Sequence, residues 1–280
     1  TESVTAALET MLGTEDLRQD GDAIYLPPFY YAEVGVAGKL KKLAAHTEGL
    51  PREAAVDFER LAQKAGFEYD EIQKEAILKA TVAKVMVLTG GPGTGKTTTT
   101  LGMIAVLRSR KKRILLAAPT GRAAKRMAET TGMEAKTIHR LLEFKPPEGY
   151  QRNEENQLEG DVLIVDECSM MDVVLMNALL KAVPPQMQLI LVGDVDQLPS
   201  VGAGNVLRNI IDSDVFPVVR LTQIFRQAQS SRIIMNAHRI NAGEFPDLSN
   251  GAGTDFFFVS VEDPDAAAQE IVRLVKDRLP

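Results

Sequence analysis

Four short apolar runs dominate the middle of the chain: Val85–Leu88, Ile114–Ala118, Val162–Val165 and Leu189–Val192. Each is nearly unbroken rather than alternating, which marks strands buried on both faces, as in a parallel sheet covered by helices. Helical spacing of apolar residues falls between them, over Lys96–Arg108, Arg122–Thr130 and Val173–Ala182. Strand alternating with helix predicts a wound α/β domain over residues 67–216. Upstream, Ile24–Leu26 before Pro27-Pro28 predicts a short strand leading into a loop, and Val36, Leu40, Leu43 and Ala44 predict a helix over Glu33–Ala45. Pro51 is placed to start a further helix that runs to Ala65 and stops at Gly66. Residues 1–66 are therefore expected to form a small module. After Pro217 the pattern predicts a strand at Val218–Leu221, a helix at Ile233–Ile240, a strand at Phe256–Ser260 and a final helix opened by Pro264. Residues 217–280 are thus expected to begin another domain. One polar stretch, Phe144–Gly160 with Pro146-Pro147 and Gly149, interrupts the wound order; it reads either as a solvated loop or as a protruding hairpin.

Composition narrows the class. Lys+Arg 32 against Asp+Glu 38 gives a net charge of −6, which excludes a polycation coating nucleic acid along its whole length but not a local basic groove. The single Cys168 excludes an intramolecular disulfide framework and a multi-cysteine metal site, and points to a cytoplasmic protein. Beside two carboxylates, Cys168 reads as a small packing residue rather than a nucleophile. No apolar run is long enough to cross a membrane, and the acidic N-terminal stretch does not read as a signal peptide. The basic run Arg108, Arg110, Lys111, Lys112 and Arg113 reads as a solvated helix end. Aromatics are only 5% with no Trp, which argues against an extensive base-stacking platform.

The chemistry begins at Gly90-Gly91-Pro92-Gly93-Thr94-Gly95-Lys96-Thr97, which satisfies G-x-x-x-x-G-K-[ST] between a strand and a helix. The glycines let backbone N–H groups turn toward phosphate oxygens, and the helix N-terminus adds its positive end. Gly91, Pro92, Gly93, Thr94, Gly95, Lys96, Thr97 and Thr98 are therefore the expected ATP-binding residues, with Lys96 on the β- and γ-phosphates and Thr97 on Mg²⁺. Val162–Val165 ends in Asp166-Glu167. Asp166 is the expected second Mg²⁺ ligand, and Glu167 the carboxylate that polarises attacking water. Ligands of open α/β sheets collect at the carboxyl ends of strands, so both motifs should converge.

Four further segments follow in order: Gln73 in Tyr69–Gln73, Pro119-Thr120-Gly121-Arg122-Ala123-Ala124, Gly193-Asp194-Val195-Asp196-Gln197-Leu198-Pro199, and Leu221-Thr222-Gln223-Ile224-Phe225-Arg226-Gln227. Together with Thr137-Ile138-His139-Arg140, the set resembles superfamily 1 helicases of the 5′-to-3′ branch, and most closely the RecD-like family. The resemblance spans roughly residues 69–242. It implies a RecA-like sheet, ATP with Mg²⁺, and translocation on single-stranded DNA toward duplex junctions in recombination and repair. It also implies roles. Gln73 reads the adenine edge, Gln197 senses the γ-phosphate, and Arg226 reaches the nucleotide from a second motor domain. Pro119, Thr120, Thr137 and His139 line the DNA path, and Phe144–Gly160 stands where the family carries a strand-splitting hairpin. For His139 a buried core position, and for Arg226 a plain surface position, remain alternatives. A monomer is expected, with nuclease-complex subunits as further partners; no clustered carboxylates of a nuclease centre are present. Nothing after Arg226 matches the family's further ATP-facing arginine motif, and with the first residue not Met this leads to the expectation of a fragment. The same motifs also fit an RNA helicase, a conjugative relaxase module, or a nucleotide-dependent clamp that does not translocate.

Overall fold

The computed structural model describes residues 2–51, 55–251 and 253–278, without the side chains of residues 2, 226, 227 and 278. The first unit, Thr1–Gln223 by its contacts, opens with helix α1 (Glu2–Gly13), strands β1 (Arg18–Asp20) and β2 (Ala23–Tyr25), and helix α2 (Pro27–Ala45). It continues through α3 (Phe58–Ala65), α4 (Glu71–Val82), β3 (Val85–Gly90), α5 (Lys96–Ser109), β4 (Ile114–Ala118) and α6 (Gly121–Thr131). Then come β5 (Ala135–Thr137), α7 (Ile138–Leu141), β6 (Phe144–Lys145), β7 (Gly149–Tyr150), β8 (Val162–Val165), α8 (Val173–Ala182), β9 (Gln188–Gly193), α9 (Val206–Asp212) and β10 (Val218–Leu221).

The order β10-β3-β9-β8-β4-β5 makes one six-stranded parallel sheet, as the unbroken apolar runs require. Successive residues of each strand feed opposite cores. Val85, Val87, Leu163, Val165, Leu189 and Leu191 pack with α2, α8 and α9, while Met86, Leu88, Val162, Ile164, Ile190 and Val192 pack with α3, α4 and α5. Local chemistry sets the helix ends. Asp70 and Gln73 form a reciprocal capping box on α4, and Gly66 and Gly132 close α3 and α6 in the left-handed conformation.

Several expectations need correction. Pro27 and Pro28 open α2 rather than a loop, because proline suits the first helical positions, where no N–H partner is needed. Residues 1–66 are not a separate module: α2 lies against α8, and Ala32, Val36, Leu40 and Leu43 belong to the sheet's own core. A Cβ on Gly35 would sit 2.6 Å from Asn177 Oδ1, so the two helices approach closely there and a larger residue would have to turn the Asn177 side chain aside. Part of the expected Pro51–Ala65 helix lies outside the described residues; α3 itself begins at Phe58. β10 pairs with β3 from Val218↔Val87 to Leu221↔Gly90, so the start expected at 217 for the next domain cuts a strand from the first sheet. The hairpin is confined to Phe144↔Tyr150 and Lys145↔Gly149. From 151 the chain turns back to the body, where Leu158 is buried and its N–H donates to Ala182 O.

The second unit, Ile224–Pro280, carries α10 (Arg226–Gln229), α11 (Arg232–Asn241) and α12 (Pro264–Arg278). Asp255 accepts from Ser231 Oγ and Arg232 N, and Asn236 exchanges hydrogen bonds with the Asp247 backbone. Phe256–Ser260 is not a strand; Asn250 bonds both the N–H and the carbonyl of Phe258 in place of a partner strand. No strand occurs among the described residues of this unit.

One buried group weakens the first unit. Lys84, 4% exposed before β3, has its Nζ buried with no hydrogen-bond partner, and burial, with Lys112 nearby, pushes its pKa down to about 8. The folded chain therefore resists a proton that the unfolded chain accepts. Stability should be penalised fully below about pH 8 and recover as pH rises through the ordinary lysine range near 10. Lys84→Met should raise stability at pH 7 by about 1–3 kcal/mol. Denaturant melts at pH 7 and pH 10 check this: the gain should shrink at the higher pH, and an equal gain at both would sink the account.

Candidate nucleotide and nucleic-acid site

The loop after β3 turns through two glycines in the left-handed region, Gly93 at φ 75° and Gly95 at φ 87°. Side-chain-bearing residues rarely adopt that conformation. Thr94 Oγ1 donates to Gly91 O at 2.8 Å and holds the loop's curl. Gly95 stands at the N-cap of α5 and offers no side-chain acceptor. The starts of α4, α6 and α8 are capped by Asp70, Thr120 and Asp172. The first N–H groups of α5 are thus left for an external anion. Lys96 Nζ bends back to donate to Gly90 O and Gly91 O, and lies 4.0 Å from Asp194 Oδ2. Burial lowers the pKa of Lys96, against the pull of Asp194, Glu167 and Asp166.

β9 lies between β3 and β8, so the ends of three adjacent strands meet here. Asp166 follows β8, and its Oδ1 accepts from Glu167 N at 2.8 Å. Burial raises the pKa of Asp166; burial first and then Asp166 raise that of Glu167. Glu167 itself sits at φ 55°, a strained conformation of the kind that collects at functional sites. Gln197, beyond β9, donates from Nε2 to Asp194 Oδ2 at 3.2 Å. Thr97 lies on the exposed first turn of α5, and Thr98 follows it half-buried. Gln73 is fully buried; its Oε1 accepts from Asp70 N, while its Nε2 has no partner. Cys168 is buried, its Sγ donates to Val165 O, and burial pushes the thiol up, which suits a packing residue.

A second surface lies past β4 and β5. Thr120 and Thr137 cap α6 and α7 by accepting from Ala123 N and Arg140 N at 3.3 and 3.2 Å. Pro119 precedes Thr120 at the end of β4, half-buried. A groove of about 480 Å³ runs beside them, lined by Gly121, Lys125, Lys136, Thr137 and Arg140 among others. His139 is exposed, not a core histidine. Its ring stands 5.8 Å from both Phe144 and Tyr150, themselves 4.9 Å apart, so it joins the root of the hairpin. The sequence named His139 but gave no sign of this ring cluster, which depends on the two hairpin strands pairing. The backbone of Arg226 opens α10; its side chain lies outside the described residues.

A phosphate loop on a RecA-like parallel sheet, with an acidic pair just past β8, the next strand but one, defines a P-loop NTPase domain. An AAA domain model matches residues 73–203. The ATP-dependent RecD2 DNA helicase of Deinococcus radiodurans is 38% identical over 255 residues, covering 91% of this chain and 34% of that protein. The RecBCD enzyme subunit RecD of Mycolicibacterium smegmatis is 36% identical over 282 residues, covering 91% of this chain and 50% of that one. Over nine-tenths of its length, then, the chain is similar to parts of these RecD and RecD2 proteins. It spans about a third to a half of the length of these curated relatives. A solved Pif1 helicase from Candida albicans matches with a TM-score of 0.45 at 22% identity, over 74% of this chain and 54% of that chain.

Proposed function

We propose that this chain carries the nucleotide-binding motor of an ATP-driven DNA helicase that moves 5′ to 3′ on single strands in recombination and repair. The observation that carries the reading is the meeting of Lys96, the Asp166-Glu167 pair and the Asp194–Gln197 loop at the ends of three adjacent strands. The uncapped start of α5 and Lys96 suit the β- and γ-phosphates, with residues 91–98 around them. The unpartnered Gln73 Nε2 suits an adenine edge. Thr97 and Asp166 supply two hard oxygen ligands, the small protein share that Mg²⁺ takes when phosphates and water complete its shell. Mg²⁺ there would neutralise charge on the phosphates. Glu167 orients the attacking water and Gln197 reports the γ-phosphate. Arg226 serves as a cation toward the same phosphate in the longer protein. Pro119, Thr120, Thr137 and His139 form the path for a single strand, and the Phe144–Tyr150 hairpin meets the duplex junction. The protein acts in the cytoplasm as a monomer or beside nuclease-complex subunits. Residues 1–223 form the motor, and 224–280 lead into a second one.

ATP hydrolysis measured with single-stranded DNA, single-stranded RNA and neither tests this reading. DNA should stimulate, RNA should not, and Arg140→Ala should flatten the salt dependence of DNA binding by about 0.7 in log–log slope, one phosphate contact on a single strand. Stimulation by RNA and not by DNA would make the substrate RNA, equal stimulation by both would overturn the DNA specificity, and stimulation by neither would make the chain a nucleotide switch.

A further inference from the structure

We infer that Asp194 is a positioning residue that ties the phosphate-facing Lys96 to Gln197, so that the cation and the amide are set by one carboxylate. This rests on the nucleotide site proposed above. Asp194 is 1% exposed, and each of its oxygens is engaged. Oδ1 accepts from Asp196 N at 3.1 Å, which closes the turn after β9. Oδ2 accepts from Gln197 Nε2 at 3.2 Å and lies 4.0 Å from Lys96 Nζ. A buried carboxylate is costly unless paired and hydrogen-bonded, and here the two partners are the groups assigned to the phosphates.

The turn that presents this carboxylate is held from both sides. Thr89 Oγ1, on the phosphate-loop strand, accepts from Val195 N at 3.3 Å. Arg208, on α9, donates to Val195 O at 2.9 Å and lies 3.8 Å from Asp196 Oδ1. Asp194 therefore sits on a fixed base, whereas Leu198 and Val201 beyond it project at 88% and 109% exposure. A displacement of the Gln197 amide would take a hydrogen-bond donor from the same carboxylate oxygen that faces Lys96.

Asp194→Asn is the informative change. Its Oδ1 can still accept from Asp196 N, so the turn survives, but an NH₂ replaces the oxygen that faces Gln197 and Lys96. Single-turnover hydrolysis and calorimetry with a non-hydrolysable ATP analogue separate chemistry from binding. The expected result is a loss of at least about tenfold in kcat with analogue affinity changed less than about threefold, because positioning governs this chemistry. Gln197→Ala should lose a similar factor, and the double variant should be no worse than Gln197→Ala alone. Asp194→Glu, which keeps the charge, should recover part of the rate. Independent, multiplying losses, or a normal rate in Asp194→Asn, would overturn the inference. If Asp194→Asn does not fold, the comparison of Asp194→Glu with its Gln197→Ala double variant decides by the same non-additivity. Normal nucleotide binding by a Lys96→Ala control would instead remove the underlying site.

Discussion

Lys96→Ala loses nucleotide binding by at least about a hundredfold. Contacts of an ammonium with two phosphates are charge-assisted, each worth about 1.5–3 kcal/mol, and a loss of about 3 kcal/mol is roughly a hundredfold in affinity. Among the described residues of the phosphate loop itself there is no second cation: the loop's other contributions are backbone N–H groups and Thr94, whose hydroxyl is already committed to Gly91 O. The change also removes a cation that offsets Asp194, Asp166 and Glu167, leaving Arg126 to act on the last two. The variant's fold must therefore be checked by circular dichroism before affinity is read. Calorimetry with ADP and an ATP analogue on both proteins settles it; equal affinities in a folded variant would mean that the phosphate loop holds something else.

Glu167→Gln has the opposite profile. Hydrolysis should fall by about 10²–10⁴, the ordinary worth of a positioned general base, while analogue affinity stays within about threefold. The carboxylate stands at the end of β8, held by its left-handed backbone and by its N–H to Asp166 Oδ1, so the shape of the site does not depend on its charge. Glutamine keeps that shape and loses only the basic oxygen. Single-turnover hydrolysis with protein in excess reads even a slow rate; a variant that hydrolyses as fast as the parent would take the water-orienting role away from Glu167.

The sheet and the nucleotide site were legible for different reasons. Val162–Val165 and Ile114–Ala118 could be bounded to the residue because a strand buried on both faces leaves an unbroken apolar signature. β5 left none: it is a three-residue edge strand with Lys136 exposed at its centre. β10 was visible as a strand, yet a sequence does not say which neighbour a strand chooses, so it was assigned to the wrong side of a domain boundary. Phe256–Ser260 has the composition of a strand, but among the described residues it meets a side-chain amide and no partner. At the site, spacing alone marked the glycines, Lys96 and the acidic pair. Asp194 lay inside a recognised segment without a role of its own, because its importance comes from two distances that only folding creates.

The place of β3 in the sheet order also fixes a sequence of events. Its neighbours are β9 and β10, which follow it by roughly a hundred residues or more, while β4 can pair with β5 almost as soon as both exist. Such distant pairings carry the largest loop-closure cost and form slowly. During synthesis the strand that bears the phosphate loop is therefore the first made of this sheet and the last enclosed. Until residues 218–221 arrive it presents an open apolar edge, the kind of surface on which nascent chains aggregate and to which chaperones bind.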